Sequence, residues 1–122
     1  MTERRTEDRI DTRERITVTF VSAPGAPHLE HHTFHCTMSD VSYGGLNFRT
    51  YTDVPVGTAV DISLRSHDSA TAIRQKGTVV WSKGVQEDII VSHSLGVRFA
   101  QRAIRDDPWG HLVSHQAALA VA

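Results

Sequence analysis

The residues of this chain best suited to chemistry are arginines near the start and, further on, an acid, a hydroxyl and two glycines. Arg5-Thr6-Glu7-Asp8-Arg9 forms an R-x-x-x-R, with Arg4 directly before it. A guanidinium is planar, always charged and carries its donors in a fork. It can bind a phosphate bidentately, pair with the O6 and N7 edge of guanine, or stack on a base. Two such groups at this spacing can cover a phosphate and a base of one compact ligand. Asp40-Val41-Ser42-Tyr43-Gly44-Gly45 reads D-x-S-x-x-G at the end of a strand-like run. Asp40 can accept from the N1 and N2 donors of guanine, and Ser42 can donate to a phosphate or carbonyl oxygen. Gly45, with Gly44 as a helper, leaves room for a ligand against the main chain. Each motif also has a plainer reading. The first could be an exposed charged arm with weak surface ion pairs, and the second a well-made turn in which glycine supplies a positive backbone dihedral.

Other constellations are less productive. His28, His31, His32 and His35 cluster with Cys36. On a strand, His31 and His35 share a face with Thr33, while His32 and Cys36 take the other. Residues i and i+4 of an extended strand are too far apart to converge on one zinc ion. No metal site is expected, only solvated positions and a core-facing His32. A triad of Ser42, Asp40 and a histidine has no support from spacing, and no phosphate-cradling P-loop is present. The chain is expected to be no enzyme, with no catalytic residues and no cofactor.

Composition narrows the classes. The 122 residues suit one domain with one core. Apolar content of 39% and charged content of 22% are ordinary for a globular chain. Thirteen basic against fourteen acidic residues give a net charge of -1. Long-range attraction to a nucleic acid polymer or an anionic membrane is therefore not expected, and any anion site must be local. The single cysteine, Cys36, excludes an intrachain disulfide and a four-cysteine zinc site. There is no apolar run of membrane-spanning length and no apolar signal core, so a cytoplasmic location is expected.

Patterning supplies the scaffold on which these motifs sit. Residues 1–14 are polar, and as a helix their like-charge neighbours, such as Arg5–Arg9, Arg9–Arg13 and Glu3–Glu7, outnumber favourable pairs such as Arg4–Asp8. A flexible arm carrying R-x-x-x-R is expected there, with the folded domain spanning residues 15–122. Period-two alternation marks six short strands: Ile16, Val18 and Phe20; His32, Phe34, Cys36 and Met38; Leu46 and Phe48; Val60, Ile62 and Leu64; Val79 and Trp81; and Leu95, Val97 and Phe99. Turn residues divide them at Ala23–Pro27, Gly44-Gly45, Pro55–Gly57, His67–Ser69 and Ser82-Lys83-Gly84. Such spacing indicates a small antiparallel barrel or sandwich. Asp107 as N-cap and Pro108 at the first helical position open a helix over about 108–120, with Trp109, Leu112, Val113, Ala117 and Ala120 on one face.

In order and content this chain resembles the PilZ domain family. An arginine arm precedes a first strand, and a second strand runs into D-x-S-x-x-G. Gly77-Thr78-Val79-Val80-Trp81 is similar to the family's strand ending in tryptophan, and Leu95-Gly96-Val97-Arg98-Phe99 to its closing Gly-Val-x-Phe strand. The resemblance covers nearly the whole chain. It implies an all-β fold, a six-stranded antiparallel β-barrel with a C-terminal α-helix, acting as a receptor for cyclic di-GMP that passes the signal to a protein effector. It also implies a site made of Arg5 and Arg9 facing Asp40, Ser42, Gly44 and Gly45. Arg4 matches an extra arginine that in the family accompanies two stacked ligand molecules. Trp81 lies either near the ligand or in the core. The alternative is a nucleotide-independent interaction module. A monomer or weak homodimer is expected.

Overall fold

The alternating runs become strands in a computed structural model, which describes residues 10–11, 15–65, 72–104 and 108–121, with side-chain surroundings for 15–64, 73–104 and 108–114. β1 (Ile10–Asp11) is a two-residue strand. β2 (Arg15–Ser22), β3 (Thr33–Val41), β4 (Gly45–Thr50), β5 (Ala59–Arg65), β6 (Ala72–Glu87) and β7 (Ile90–Phe99) form the barrel wall. The order runs β3-β2-β5-β6-β7-β4, and pairing of β3 with β4 closes the ring. All neighbours are antiparallel. β1 adds to the edge of β3 just past its pairing with β2.

Closure gives every strand one inward face. Ile16, Val18, Phe20, Met38, Val41, Leu46, Phe48, Val60, Ile62, Leu64, Val79, Leu95, Val97 and Phe99 are all buried. At about 25 cal/mol per Å² of apolar surface removed from water, this filled interior is the main stabilising term. One mouth of the barrel is covered by the loop after β2, through Ala23, Ala26 and Leu29, where Glu30 Oε2 accepts from the Ala23 amide at 2.8 Å. The other is covered by α1 (Pro108–Val121), whose Trp109 meets Phe99 edge to face at 5.1 Å between centroids. Trp109 and Val113 are buried and Leu112 packs against the core. Asp107, the turn at His67–Ser69 and the side chains of Ala117 and Ala120 lie outside the described residues.

Three local expectations are corrected. Ser82-Lys83-Gly84 is no turn. β6 runs straight through it, and the chain reverses at Asp88-Ile89, where Asp88 takes a left-handed φ of 57°. His32 does not face the core. It is exposed, because His31 adopts a φ of 71° and the strand begins only at Thr33. Trp81 does not share the face of Val79. A register shift between them makes Val80 an extra residue and turns Trp81 outward.

Candidate functional site

The D-x-S-x-x-G segment is the tight connection between β3 and β4. The Ser42 amide donates to the Gly45 carbonyl at 2.9 Å, and the Ser42 hydroxyl donates to the same oxygen at 3.3 Å. Ser42 is only 2% exposed, so its side chain holds the turn from within. Gly44 and Tyr43 tie the turn to the last residue of β7 and to the segment beyond it. The Gly44 carbonyl accepts from the Phe99 amide, and the Tyr43 carbonyl from the Ala103 amide, each at 2.8 Å. The Tyr43 hydroxyl lies 3.0 Å from Ser114 Oγ on α1, and the Arg102 guanidinium stands 5.8 Å from the centre of the Tyr43 ring.

Gly45 is glycine for a reason the sequence does not reveal. Its φ is not left-handed. A Cβ there would lie 2.1 Å from the Val97 carbonyl oxygen of β7. The residue type is therefore set by close approach of the protein's own main chain.

Register assembles an outer surface beside this turn. Asp40 on β3 pairs with Asn47 on β4, Asn47 with Gly96 on β7, and Gly96 with Trp81 on β6. Neighbouring strands lie about 4.8 Å apart, so this row spans roughly 14 Å across the barrel wall. Asn47 Nδ2 donates to Asp40 Oδ2 at 2.9 Å, which fixes the amide's orientation. Asn47 Oδ1 is then left buried without a hydrogen-bond partner among the described residues. A Cβ on Gly96 would fall 2.1 Å from Trp81 Nε1, so the indole lies flat over a bare backbone. Trp81 is 38% exposed, not a core residue. One row further, Gly45 pairs with Arg98, whose side chain is exposed. The surface thus offers a carboxylate, a cation and an aromatic face, with the buried Asn47 amide oxygen behind them. Its chemistry suits a flat polar ring with adjacent N–H donors and an anionic group.

The structure brings Asp40, Ser42, Gly44 and Gly45 together. Arg4, Arg5 and Arg9 lie outside the described residues. β1 nevertheless pairs Ile10 with Val41 and Asp11 with Asp40, so the chain immediately after Arg9 runs alongside the turn. Sequence reasoning missed Asn47 and Gly96. Neither stands out until cross-strand register makes them neighbours of Asp40 and Trp81.

A separate groove of about 560 Å³ opens between β3, β4 and the far end of the β6–β7 hairpin, with Phe34, Cys36, Tyr51 and Ile90 among its lining residues. It includes none of the motif residues. Burial pushes the Cys36 thiol there up from an ordinary 9.0 to about 11. Among the described residues, no three His, Cys, Asp or Glu side chains are grouped to hold a metal.

A family model described as PilZ domain matches residues 3–114. No curated protein matches the chain. Among solved structures, the fold is similar to the Bacillus subtilis inhibitor of motility MotI/DgrA, at 10% identity and a TM-score of 0.65, covering 98% of this chain and 53% of that one. It is similar to the PilZ domain of YcgR from Escherichia coli, a structure that holds c-di-GMP, at 15% identity and a TM-score of 0.61, covering 97% and 91%. It is also similar to MrkH of K. pneumonia in complex with c-di-GMP, at 14% identity and a TM-score of 0.66, covering 98% and 55%. The chain spans about half the length of MotI/DgrA and MrkH, at 53% and 55%. At these identities the likeness is one of fold.

Proposed function

The chain belongs to the PilZ domain family, and from that premise we propose that it is a non-enzymatic, cytoplasmic receptor for cyclic di-GMP that couples the level of this second messenger to a protein effector. The observation that carries the reading is that the chain just after the first motif pairs beside the second. Ile10, the residue after Arg9, pairs with Val41, one residue from Asp40. Arg5 and Arg9 then supply forks for phosphate and guanine. Asp40 accepts from guanine N–H donors, and a carboxylate has about four acceptor sites, so the Asn47 bond is compatible with further donors. Asn47 Oδ1 offers another acceptor, and Trp81 a face for stacking. Ser42, Gly44 and Gly45 serve by shaping the turn. No described helix is long and apolar enough to cross a membrane.

The signal in this proposal is an arm that takes its final shape on the ligand. Its charge pattern disfavours an autonomous helix, and the ligand provides the missing counter-charges. Arg4 adds a guanidinium that can cap a second, stacked ligand molecule, giving two per chain.

Calorimetric titration with cyclic di-GMP tests this. Arg5→Ala or Arg9→Ala should each cost about 1–3 kcal/mol of binding. Lysine keeps the charge but loses the fork, so Arg5→Lys should fail nearly as badly. Arg4→Leu should lower the stoichiometry from two to one. No heat and no saturation with the native chain would sink the receptor reading. The fact that Ser42 and Gly45 are fully accounted for by the turn would then favour the second reading, a nucleotide-independent interaction module.

A further inference from the structure

β6 is much longer than the strand beside it. β5 ends its pairing at Ala59 with Thr78, and the last bonds on that side join Gly57 N to Val79 O and Val79 N to Thr58 O. From Trp81 to Glu87, β6 pairs with β7 alone, and among the described residues no strand covers its other edge. An edge of this length is a ready template for another strand unless something blunts it. Here nothing projects to block it at the centre: a Cβ on Gly84 would meet no atom within 4 Å.

We infer that this edge is the contact between two copies of the chain, paired antiparallel about a two-fold axis through Val85. Charge complementarity selects this pairing. Lys83, Val85 and Glu87 alternate onto one face of β6. Antiparallel self-pairing centred on Val85 sets Lys83 opposite Glu87 of the second copy and Glu87 opposite its Lys83. Val85 meets its own equivalent at the centre, and Gln86 lies opposite Gly84 on the other face. A slip of one residue loses both ion pairs, so the charges fix the register. Glu87 already accepts from Arg49 Nη1 at 3.2 Å, in a pair whose side chains are 50% and 68% exposed. A carboxylate can take Arg49 from its own chain and Lys83 from the other together. Val80, Ile90 and Val91, at 40%, 56% and 48% exposure, lie along the same ribbon. The same patch serves both copies, as a closed two-fold contact requires. The short paired segment makes the dimer weak and reversible. The inference does not rest on cyclic di-GMP binding, because the edge lies towards the opposite mouth of the barrel from the Asp40–Gly45 turn.

Sedimentation equilibrium of the full chain tests it. The native chain should dimerise reversibly as concentration rises. Lys83→Glu and Glu87→Lys each set like charges face to face and should raise the dissociation constant about tenfold. Mixing these two variants should restore a heterodimer as tight as the native dimer, since every facing pair is then opposite in sign. The double variant carrying both changes should also recover. Arg49→Gln separates loss of the internal ion pair from loss of the dimer and should leave association nearly unchanged. A native chain that stays monomeric throughout, single variants that associate like the native chain, or a mixture that fails to recover would each overturn the proposal. Strand addition by an unrelated partner predicts the last of these outcomes.

Discussion

The β3–β4 turn and the β6–β7 ribbon are both hairpin ends, and they obey opposite rules. The turn is enclosed by β7, by α1 and by the segment after the barrel, so its residues are dictated by neighbours. The ribbon leaves the barrel as two strands, with one edge and most side chains exposed, though Ser92 is buried and Ser82 and Val85 are half-buried. Its tip, Ile89, is 94% exposed. Glycine illustrates the difference. At Gly45 a side chain would collide with the main chain of β7, while at Gly84 it would meet nothing. The same residue type is a steric necessity in one place and a free choice in the other.

The largest expected effect comes from that contrast. Gly45→Val must push β4 off β7 and should destabilise by about 3 kcal/mol or more. Gly84→Val, on an open strand that favours β-branched residues, should stay within about 0.5 kcal/mol of the native chain. Chemical denaturation of both variants measures this. Equal losses would show that the ribbon is packed against something after all.

A smaller effect separates two serines. Ser42→Ala removes a buried hydroxyl that bonds the Gly45 carbonyl and should cost about 1 kcal/mol, while Ser82→Ala in the half-buried ribbon should change almost nothing. If Ser42→Ala keeps full stability yet loses cyclic di-GMP binding, the hydroxyl touches the ligand rather than the turn.

The sequence is most legible where the barrel is closed. Val60, Ile62 and Leu64, like Leu95, Val97 and Phe99, point inward because a closed wall enforces strict alternation. Legibility fails where alternation carries no information. At Ser82, Lys83 and Gly84 the ribbon shows no apolar alternation, so this segment reads as a turn when only its composition is weighed. Alternation alone puts Trp81 on the face of Val79, because the extra residue at Val80 leaves no mark in a linear pattern. The same pattern points His32 inward, because the left-handed φ of His31, which delays the strand, belongs to a residue type that tolerates it without requiring it. Within the site, Asp40 and the glycines are visible as a motif. Asn47 and Gly96 are not, since their roles arise only from long-range pairing.

Cys36 gives the smallest effect and extends the contrast to reactivity. Its thiol sits in the barrel wall with its pKa raised to about 11, so at neutral pH it should react slowly with alkylating reagents. A cysteine placed by Ile89→Cys at the ribbon tip should react at the rate of a free thiol. The folded state holds the proton more tightly than the unfolded state does. The thiol's contribution to stability is therefore fully present below about pH 9 and is lost as pH rises towards 11. Equal alkylation rates at the two positions would mean that the wall opens near Cys36.

Everything proposed for the turn depends on cyclic di-GMP binding between the arm and the outer surface beside it. Amide and indole N–H shifts, followed by nuclear magnetic resonance through a titration with this ligand, give the sharpest test. Saturable shifts are expected at Gly44, Gly45, Asn47, Gly96, the Trp81 indole and the arm, with Asp88–Ile90 at the ribbon tip unmoved. Shifts confined to the ribbon tip or to the groove beside Cys36, with the turn silent, would refute it.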